Sequence, residues 1–252
     1  MNERKRRKVV IGGIAGGLGR ALAARLQEQG DQVAGLGRES ERWEAFRSDH
    51  PDLPAFAADA RDGEAWATAF RAAVDALDGV DAYVHAIGNI ALKPAHLMKD
   101  DEFREVLETN LTSAFIALRA ALEPMRRQKH GVIVFVSSVA AGSGLANHEA
   151  IAAAKAGIEG LVRASAATYA SLGLRINAIA PGMMDTPAAG PLLASDAAQQ
   201  LSARLHPLGR IGQPTEAAAL IDWLIGPDAG WVTGQIWNLD GGMSSILPKP
   251  KL

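Results

Sequence analysis

Short apolar runs alternate with helix-like segments from one end of the chain to the other. The runs are apolar at nearly every position, which is typical of strands buried on both faces of a sheet. Helices between such strands indicate crossover connections and a parallel sheet covered on both sides. We therefore expect an α/β fold, one doubly wound domain over residues 1–252. About seven strands are predicted, at residues 9–11, 33–36, 53–57, 82–86, 132–136, 176–180 and 236–239.

The segments between these runs carry apolar residues at helical spacing. Leu18, Leu22 and Leu26 fall at i, i+4 and i+8, which places them on one face of a helix. Segment 181–195 lacks such a pattern and contains three prolines and two glycines. A loop of this length in a compact domain is usually a binding loop or an active-site lid. A second helical stripe comprises Phe103, Val106, Leu107, Leu111, Phe115 and Leu118.

Charge and composition argue against several classes of protein. The 26 Lys and Arg side chains are balanced by 28 Asp and Glu, so the net charge of −2 gives no sign of a nucleic-acid or membrane partner. The chain has no cysteine, and its six histidines show no metal-ligand spacing. No run approaches the roughly 18 apolar residues of a membrane span. We expect a cytoplasmic protein without a metal, with a basic solvated tail at 1–8 and a short C-terminal tail at 244–252.

A glycine-rich loop follows the first predicted strand and precedes the first predicted helix. Residues 12–19 read GGIAGGLG. Glycine allows a tight turn and a close approach of the backbone to a pyrophosphate, and the N–H groups at the start of the helix bind the anion. This placement predicts a dinucleotide-binding site at the loop.

Further motifs follow in a fixed order along the chain. The loop spacing is Gly13-x3-Gly17-x-Gly19, and the later motifs are TNL at 109–111, a serine at 138, AKAG at 154–157, NAIAPG at 177–182, DT at 185–186 and PLGR at 207–210. Together they resemble the short-chain dehydrogenase/reductase family, in particular its 3-oxoacyl-acyl-carrier-protein reductases. The resemblance extends over nearly the whole chain and implies a Rossmann-type domain.

The resemblance implies a nicotinamide dinucleotide cofactor. Sites that prefer NAD usually place an acid at the end of the second strand, where this chain has Gly37 followed by Arg38. An arginine can pair with a 2′-phosphate through two parallel hydrogen bonds, so we expect NADP(H) to be preferred, with NAD(H) also possible. Alternatively, Arg38 is a solvated charge or stacks on adenine. The implied cofactor-binding residues are Gly13, Gly17, Leu18, Gly19, Arg38, Asp59, Ala60, Gly88, Lys155, Pro181, Gly182 and Thr186.

The resemblance also implies a catalytic set, from which one member is missing. Family members carry a serine that hydrogen-bonds the substrate carbonyl, a lysine that holds the nicotinamide ribose, and an asparagine that holds a water. These correspond to Ser138, Lys155 and Asn110. The family's proton donor is a tyrosine four residues before the lysine, and here that position is Ile151, which has no proton to give. The two tyrosines of the chain, at 83 and 169, belong to a predicted strand and to a distant part of the helix.

The neighbourhood of Ile151 offers a possible substitute. His148 lies three residues earlier, and an imidazole titrates near neutral pH. It is either a proton donor or substrate-binding group, or simply a residue at the start of a helix. In segment 181–195, Met183 and Met184 either form an adaptable apolar wall for the substrate or pack the loop down. The substrate-binding candidates are Ser138, Ile151, Met183 and Met184; His85 is expected to be a hydrogen-bonded structural residue.

Three functions remain open. The first is an NADP(H)-dependent oxidoreductase, a carbonyl reductase of the 3-oxoacyl type with altered proton delivery. The second is an impaired cofactor-binding subunit that pairs with an active partner. The third is dehydration or isomerisation on the same scaffold, with His148, Glu149 or Lys155 as the base. The partners expected from the resemblance are a keto, hydroxy or acyl-thioester substrate, including one on an acyl carrier protein, and further copies of the chain in a homotetramer.

Overall fold

The seven apolar runs form one parallel sheet in the computed structural model, which describes residues 6–247. The strand order is β3-β2-β1-β4-β5-β6-β7, and every neighbouring pair is parallel. The predicted α/β class and strand number are therefore confirmed. The strands are β1 (Lys8–Gly12), β2 (Gln32–Gly37), β3 (Ala55–Ala57), β4 (Ala82–His85), β5 (Gly131–Val136), β6 (Leu174–Pro181) and β7 (Ile236–Leu239).

Helices cover both faces of the sheet. One face is packed by α3, α5 and α6 against side chains such as Tyr83 and Phe135, and the other by α1, α2 and α8 against Val9 and Ile11. Successive strand residues point to opposite faces, which is why these strands are apolar throughout. The helices are α1 (Gly17–Glu28), α2 (Glu41–Asp49), α3 (Gly63–Leu77), α4 (Asp100–Leu107), α5 (Ser113–Gln128), α6 (Glu149–Tyr169), α7 (Asp196–Leu205) and α8 (Pro214–Ile225).

A π-helical turn, Glu108–Thr112, joins α4 to α5 and places Asn110 inside the protein. The N–H of Ser113 donates to the carbonyl of Glu108, five residues earlier, so the hydrogen-bond register changes here. The prediction that all residues of the second helical stripe face the core is therefore only partly correct. Phe103 and Phe115, predicted on the buried face, are 39% and 51% exposed.

The basic N-terminal tail is shorter than predicted. Lys8 begins β1, and Arg7 is buried, with its guanidinium bonded to Asp31 and Asp222. Two carboxylates from other elements hold this charge, so Arg7 is part of the fold and not a solvated charge. Residues 1–5 lie outside the described part of the chain. At the other end, Ser244 is hydrogen-bonded to Asp240, and 248–252 also lie outside the described residues.

The sheet topology creates the crevice in which the glycine loop lies. The chain builds β1 to β3 outward in one direction and then returns to add β4 on the other side of β1. Ligands of doubly wound sheets bind at this switch point, beyond the carboxyl ends of the strands. Within the described residues, no helix is long and apolar enough to cross a membrane.

Candidate active site

The glycine loop is shaped by close backbone contacts. Gly13 has a φ of +83°, and a Cβ there would lie 2.8 Å from the carbonyl oxygen of Ala86. A Cβ at Gly19 would lie 2.3 Å from the carbonyl oxygen of Gly13, so α1 packs directly under the loop. A Cβ at Gly17 would meet the side chains of Thr186 and Pro187. The loop therefore tolerates only glycine at 13 and 19, and segment 182–195 lies across it.

A cleft of about 640 Å³ opens beside this loop. It lies over the carboxyl ends of β1, β2 and β4, at the switch point of the sheet. Among the predicted cofactor residues, Gly13, Arg38, Asp59, Ala60 and Gly88 line it. The lining residues that the sequence did not single out include Ser40, Arg42, Trp43, Arg61, Asn89 and Glu105.

Three arginines gather at the end of the cleft beside β2 and β3. Arg38 and Arg42 are exposed near the first turn of α2, which is capped by the Ser40 hydroxyl. The Arg61 guanidinium binds both oxygens of the Asp59 carboxylate, at 2.7–3.1 Å. This contact lowers the pKa of Asp59, helped by the charge of Arg38. Arg61 is already paired with Asp59 and Glu105, and Glu41 lines the same end, so Arg38 and Arg42 are the side chains that would favour an anionic group beside this helix N-terminus.

Asn110 and Lys155 both approach Gly88, which lines the cleft, while neither is itself a lining residue. A Cβ at Gly88 would lie 2.6 Å from the Asn110 Oδ1 and 3.1 Å from the Lys155 Nζ. The Asn110 Nδ2 donates to the Oδ1 of Asn89 at 2.7 Å, which fixes the amide. The Lys155 Nζ donates to the carbonyl of Val136 at 2.9 Å. Burial lowers the pKa of Lys155 to about 8.

Ser138 lies two residues beyond this carbonyl, immediately after β5. Its Oγ accepts the N–H of Ala140 at 3.2 Å, which leaves the hydroxyl proton available for another acceptor. The preceding Ser137 is buried, and its Oγ lies 3.0 Å from a carboxylate oxygen of Glu159. The carboxyl end of β5 and the first turns of α6 therefore bring Ser138 and Lys155 to the same edge of the sheet.

Ile151 lies in the first turn of α6, one turn before Lys155, and is 4% exposed. It packs in a small apolar cluster with Val106, Ala150 and Ala154. The structure keeps both tyrosines away from it: Tyr83 is fully buried in β4, and Tyr169 ends α6. The side chain at position 151 therefore contributes apolar contact and no ionisable group.

The two histidines considered from the sequence have different environments. His148 caps the N-terminus of α6, half-buried, with its Nδ1 2.7 Å from the carbonyl of Ala146. His85 is fully buried: its Nδ1 lies 2.7 Å from the hydroxyl of Tyr83, and its Nε2 lies 3.3 Å from the Oγ of Ser113. Burial and the charge of Lys155 lower the pKa of His85 to about 3. The structural role predicted for His85 agrees with these bonds.

Segment 182–195 is anchored at its start by a histidine. The His206 Nε2 accepts the N–H of Met183 at 3.1 Å, and a Cβ at Gly182 would lie 2.5 Å from the same atom. Met184 is 9% exposed and belongs to the core cluster beside α8, so it packs the loop down and is not a free substrate wall. Met183 is half-buried, and the substrate role remains a prediction for it alone.

Several site residues could not be found by motif. Arg61 directly follows Asp59 and Ala60. This position is only a weak indication of a role in the site, because an exposed arginine is usually solvated. Its second partner, Glu105 at 3.0 Å, comes from α4, 44 residues away. Asn89, which fixes Asn110, follows the Gly88 motif without a signal of its own. Among residues 6–247, no group of three or more His, Cys, Asp or Glu side chains is placed to hold a metal ion.

Comparison with known proteins relates the site to oxidoreductases. Residues 13–244 match the family model described as enoyl-(acyl carrier protein) reductase. The chain is 34% identical to 3beta-hydroxysteroid dehydrogenase 1 of Eggerthella lenta over 254 residues, 95% of this chain and 94% of that protein. It is 32% identical to a 3-oxoacyl-acyl-carrier-protein reductase of Vibrio cholerae over 239 residues, 94% of this chain and 97% of that protein.

Solved structures share the whole fold. Levodione reductase superposes with a TM-score of 0.87 at 32% sequence identity, over 96% of this chain and 98% of that chain. A variant of actinorhodin polyketide ketoreductase, crystallised with NADPH, superposes with a TM-score of 0.90 at 26% identity, over 95% of this chain and 98% of that chain. The similarity thus covers the cleft, both of its ends and the helices around it.

Proposed function

Because the chain belongs to the short-chain dehydrogenase/reductase family, we propose that it is an NADP(H)-dependent oxidoreductase that reduces a carbonyl group of the 3-oxoacyl or simple ketone type. The observation that carries this proposal is the cleft itself. Its lining brings the glycine loop and Arg38 together with Gly88. Asn110 and Lys155 approach Gly88 from the protein interior, and Lys155 binds the carbonyl of Val136, two residues before Ser138. Curated relatives at about one third identity are dehydrogenases and reductases acting on such groups.

The residues present fit a phosphorylated dinucleotide. The backbone at Gly13 and Gly19 leaves no room for a Cβ, as a close approach to a pyrophosphate requires. Arg38 is exposed at the end of β2, where an acid would repel a 2′-phosphate, and Arg42 lies beside it. The NADPH bound to the similar ketoreductase supports the same preference here. On this proposal, Thr186 and Gly182 hold the nicotinamide end of the cofactor.

Ser138, Asn110 and Lys155 would orient and protonate the substrate. The bound cofactor would supply the hydride. The Ser138 hydroxyl would donate to the substrate carbonyl oxygen, because its Oγ already accepts the N–H of Ala140. Asn110, whose amide is fixed by Asn89, would hold a water molecule next to Lys155. Held in this geometry, a substrate needs little reorganisation before reaction.

We propose that Ile151 takes the place of the family's tyrosine, so that proton delivery differs from that of the relatives. The motif spacing and its position one turn before Lys155 support this assignment. A positioned acid typically contributes about 10²–10⁴-fold to a rate, so the enzyme should be slow. The second candidate function, a cofactor-binding subunit without its own turnover, is favoured by the same residue.

The proposed partners follow from the resemblance and from the helix surface. A groove of about 800 Å³ runs between α5 and α6, and its lining includes the half-exposed Phe115, Arg119 and Tyr169. Family members of this length are mostly tetramers joined through these two helices, so we propose a homotetramer. An acyl thioester, free or on an acyl carrier protein, is the proposed substrate class.

The Arg38→Ala variant tests the cofactor assignment. Removing a charge-assisted, two-bond contact costs about 1.5–3 kcal/mol, which corresponds to a roughly 10- to 100-fold higher Kd for NADPH. The Kd for NADH should stay nearly unchanged, because NADH lacks the 2′-phosphate. Both are measured by fluorescence titration, with Arg71→Ala on the exposed side of α3 as the matched control. Equal losses for NADPH and NADH would show that Arg38 does not recognise the phosphate.

A further inference from the structure

The amino group of Lys155 is a buried cation without a carboxylate partner among residues 6–247. Its Nζ makes one hydrogen bond, to the carbonyl of Val136. An ammonium has three N–H groups, so two have no acceptor among the described residues. The Nζ lies close to the cleft: a Cβ at Gly88 would lie 3.1 Å from it, and Gly88 lines the cleft. The side chain is 6% exposed, and desolvation is the cause that lowers its pKa to about 8.

The titratable groups around Lys155 neither pair with its positive charge nor compete with it as proton donors. His85 on β4 remains neutral because its pKa falls to about 3. Glu159, one turn further along α6, accepts a hydrogen bond from Ser137. Glu105 on α4 is paired with Arg61, and Glu108 in the π turn is exposed. A proton on the Nζ is therefore held weakly, next to the cleft.

Other side chains in this region are poorer donors. Ile151 has no ionisable group. The Tyr83 hydroxyl is buried against β1, because a Cβ at Gly12 would lie 2.5 Å from it. Burial raises the pKa of Tyr83 well above its usual value. His148 is the remaining competitor, with its Nδ1 engaged by the carbonyl of Ala146 at the start of α6.

We propose that Lys155 is itself the general acid of this enzyme, an inference that rests on the proposed reductase function. The reduced nicotinamide dinucleotide gives a hydride to the substrate carbonyl carbon. The C=O π electrons form a new O–H bond with a proton from the Lys155 Nζ, directly or through one water. The carbonyl becomes an alcohol, the dinucleotide is oxidised, and the ammonium becomes a neutral amine that takes a proton back from solvent. Ser138 orients the carbonyl and donates no net proton.

A titration of the lysine in the free protein tests the premise without cofactor or turnover. The protein is labelled with ¹³C at the lysine ε-carbons, and the Lys155 resonance is identified by its loss in Lys155→Cys. The expected midpoint is about 8, whereas an exposed lysine titrates near 10.5. A midpoint near the ordinary value would show that the amino group is fully solvated and would overturn the proposal.

A chemical variant tests the proton transfer. The chain has no cysteine, so Lys155→Cys introduces a unique thiol. Alkylation with 2-bromoethylamine in denaturant, followed by refolding, creates a thioether lysine whose amine is less basic. For ketone reduction, kcat/KM of the unmodified enzyme should fall as pH rises through about 8, because the neutral amine cannot donate. The thioether lysine should shift this fall to lower pH. Circular dichroism checks refolding, and NADPH titration checks cofactor binding.

The outcomes separate this inference from the function on which it rests. A fall in kcat/KM that does not move with the thioether lysine, or that disappears in His148→Gln, assigns the proton to another group and overturns the proposal while leaving the reductase function intact. If the alkylated protein does not refold, the titration midpoint of Lys155 and the pH dependence of kcat/KM in His148→Gln still decide whether Lys155 is the acid. Failure of the native protein to bind either nucleotide would overturn the reductase function and this inference with it.

Discussion

Gly19 shows how tightly one residue can constrain this site. Its missing side chain lets α1 start directly beneath the glycine loop, because a Cβ would lie 2.3 Å from the Gly13 carbonyl oxygen and 2.6 Å from the Ile14 Cα. Both neighbours are backbone atoms of the loop that is proposed to hold the pyrophosphate. They can move only if the loop changes shape.

The Gly19→Ala variant should therefore lose stability and cofactor affinity together. Overpacking of this kind costs about 1–3 kcal/mol, which lowers Tm by roughly 2–12 °C in a protein of this size. The Kd for NADPH should rise at least about tenfold, as it does for each 1.4 kcal/mol of binding energy lost. Thermal melts and fluorescence titrations measure the two effects.

The control is Gly190→Ala, since a Cβ at Gly190 meets no atom within 4 Å. It should match the unmodified protein in both measurements. An unchanged Gly19→Ala variant would mean that the loop does not need its close backbone contacts.

At the residue scale, the glycine spacing predicted the tight backbone at Gly13 and Gly19, which the structure has, while their role toward a cofactor stays a prediction. The spacing of Gly13 and Gly19 reflects a turn and a helix start, which are local. Arg61 could not be predicted, because its role depends on Glu105 reaching it from another helix. Arg7 was misjudged for the same reason: its partners Asp31 and Asp222 lie 24 and 215 residues away.

At the scale of single elements, α5 and α6 present an unusual surface. Phe115 is 51% exposed in the groove between the two helices, which Tyr169 also lines. The same groove is lined by Leu118, Leu122, Leu161 and Leu172, and a contiguous apolar surface of this kind is typical of an interface between subunits. The proposed tetramer would cover this face with the same helices of a second copy.

The Phe115→Glu variant should weaken this assembly. A carboxylate buried in an apolar interface carries a desolvation cost that an exposed one does not. Multi-angle light scattering should find a tetramer for the unmodified protein and smaller species for the variant. Phe103→Glu on α4 is the matched control: Phe103 is 39% exposed and lies outside the groove, so its variant should remain tetrameric. A monomeric unmodified protein would contradict the proposed assembly.

Periodicity predicted the helices but could not predict the π turn. Within the turn, the Ser113 hydroxyl donates to the carbonyl of Thr109, and from another element the His85 Nε2 of β4 lies 3.3 Å from the same hydroxyl. The same contacts place Asn110 next to Lys155. A helical stripe assumes an unbroken register, which is why Phe103 and Phe115 were assigned to the buried face.

At the scale of the whole molecule, the strand runs and the glycine loop together predicted the doubly wound sheet and the position of its crevice. The strand order was not predicted; the structure supplies it, and it places the crevice at the switch between β1 and β4. The sequence did not reveal how the two ends of the cleft differ in charge, which depends on arginines from three different segments. We expect substrate identity to depend on segment 182–195, where only Met183 remains a candidate wall.

We propose that this chain reduces carbonyl groups with NADPH although Ile151 stands one turn before its lysine. NADPH consumption by the purified protein, in the presence of a 3-oxoacyl thioester or a simple ketone, tests this proposal. Because no positioned tyrosine supplies the proton, we expect slow but protein-dependent turnover, roughly 10⁻³–10⁻¹ per second. We also expect Lys155→Met to abolish this turnover. If the protein binds NADPH but consumes none with any such substrate, it is not a carbonyl reductase, and the cofactor-binding subunit is favoured instead.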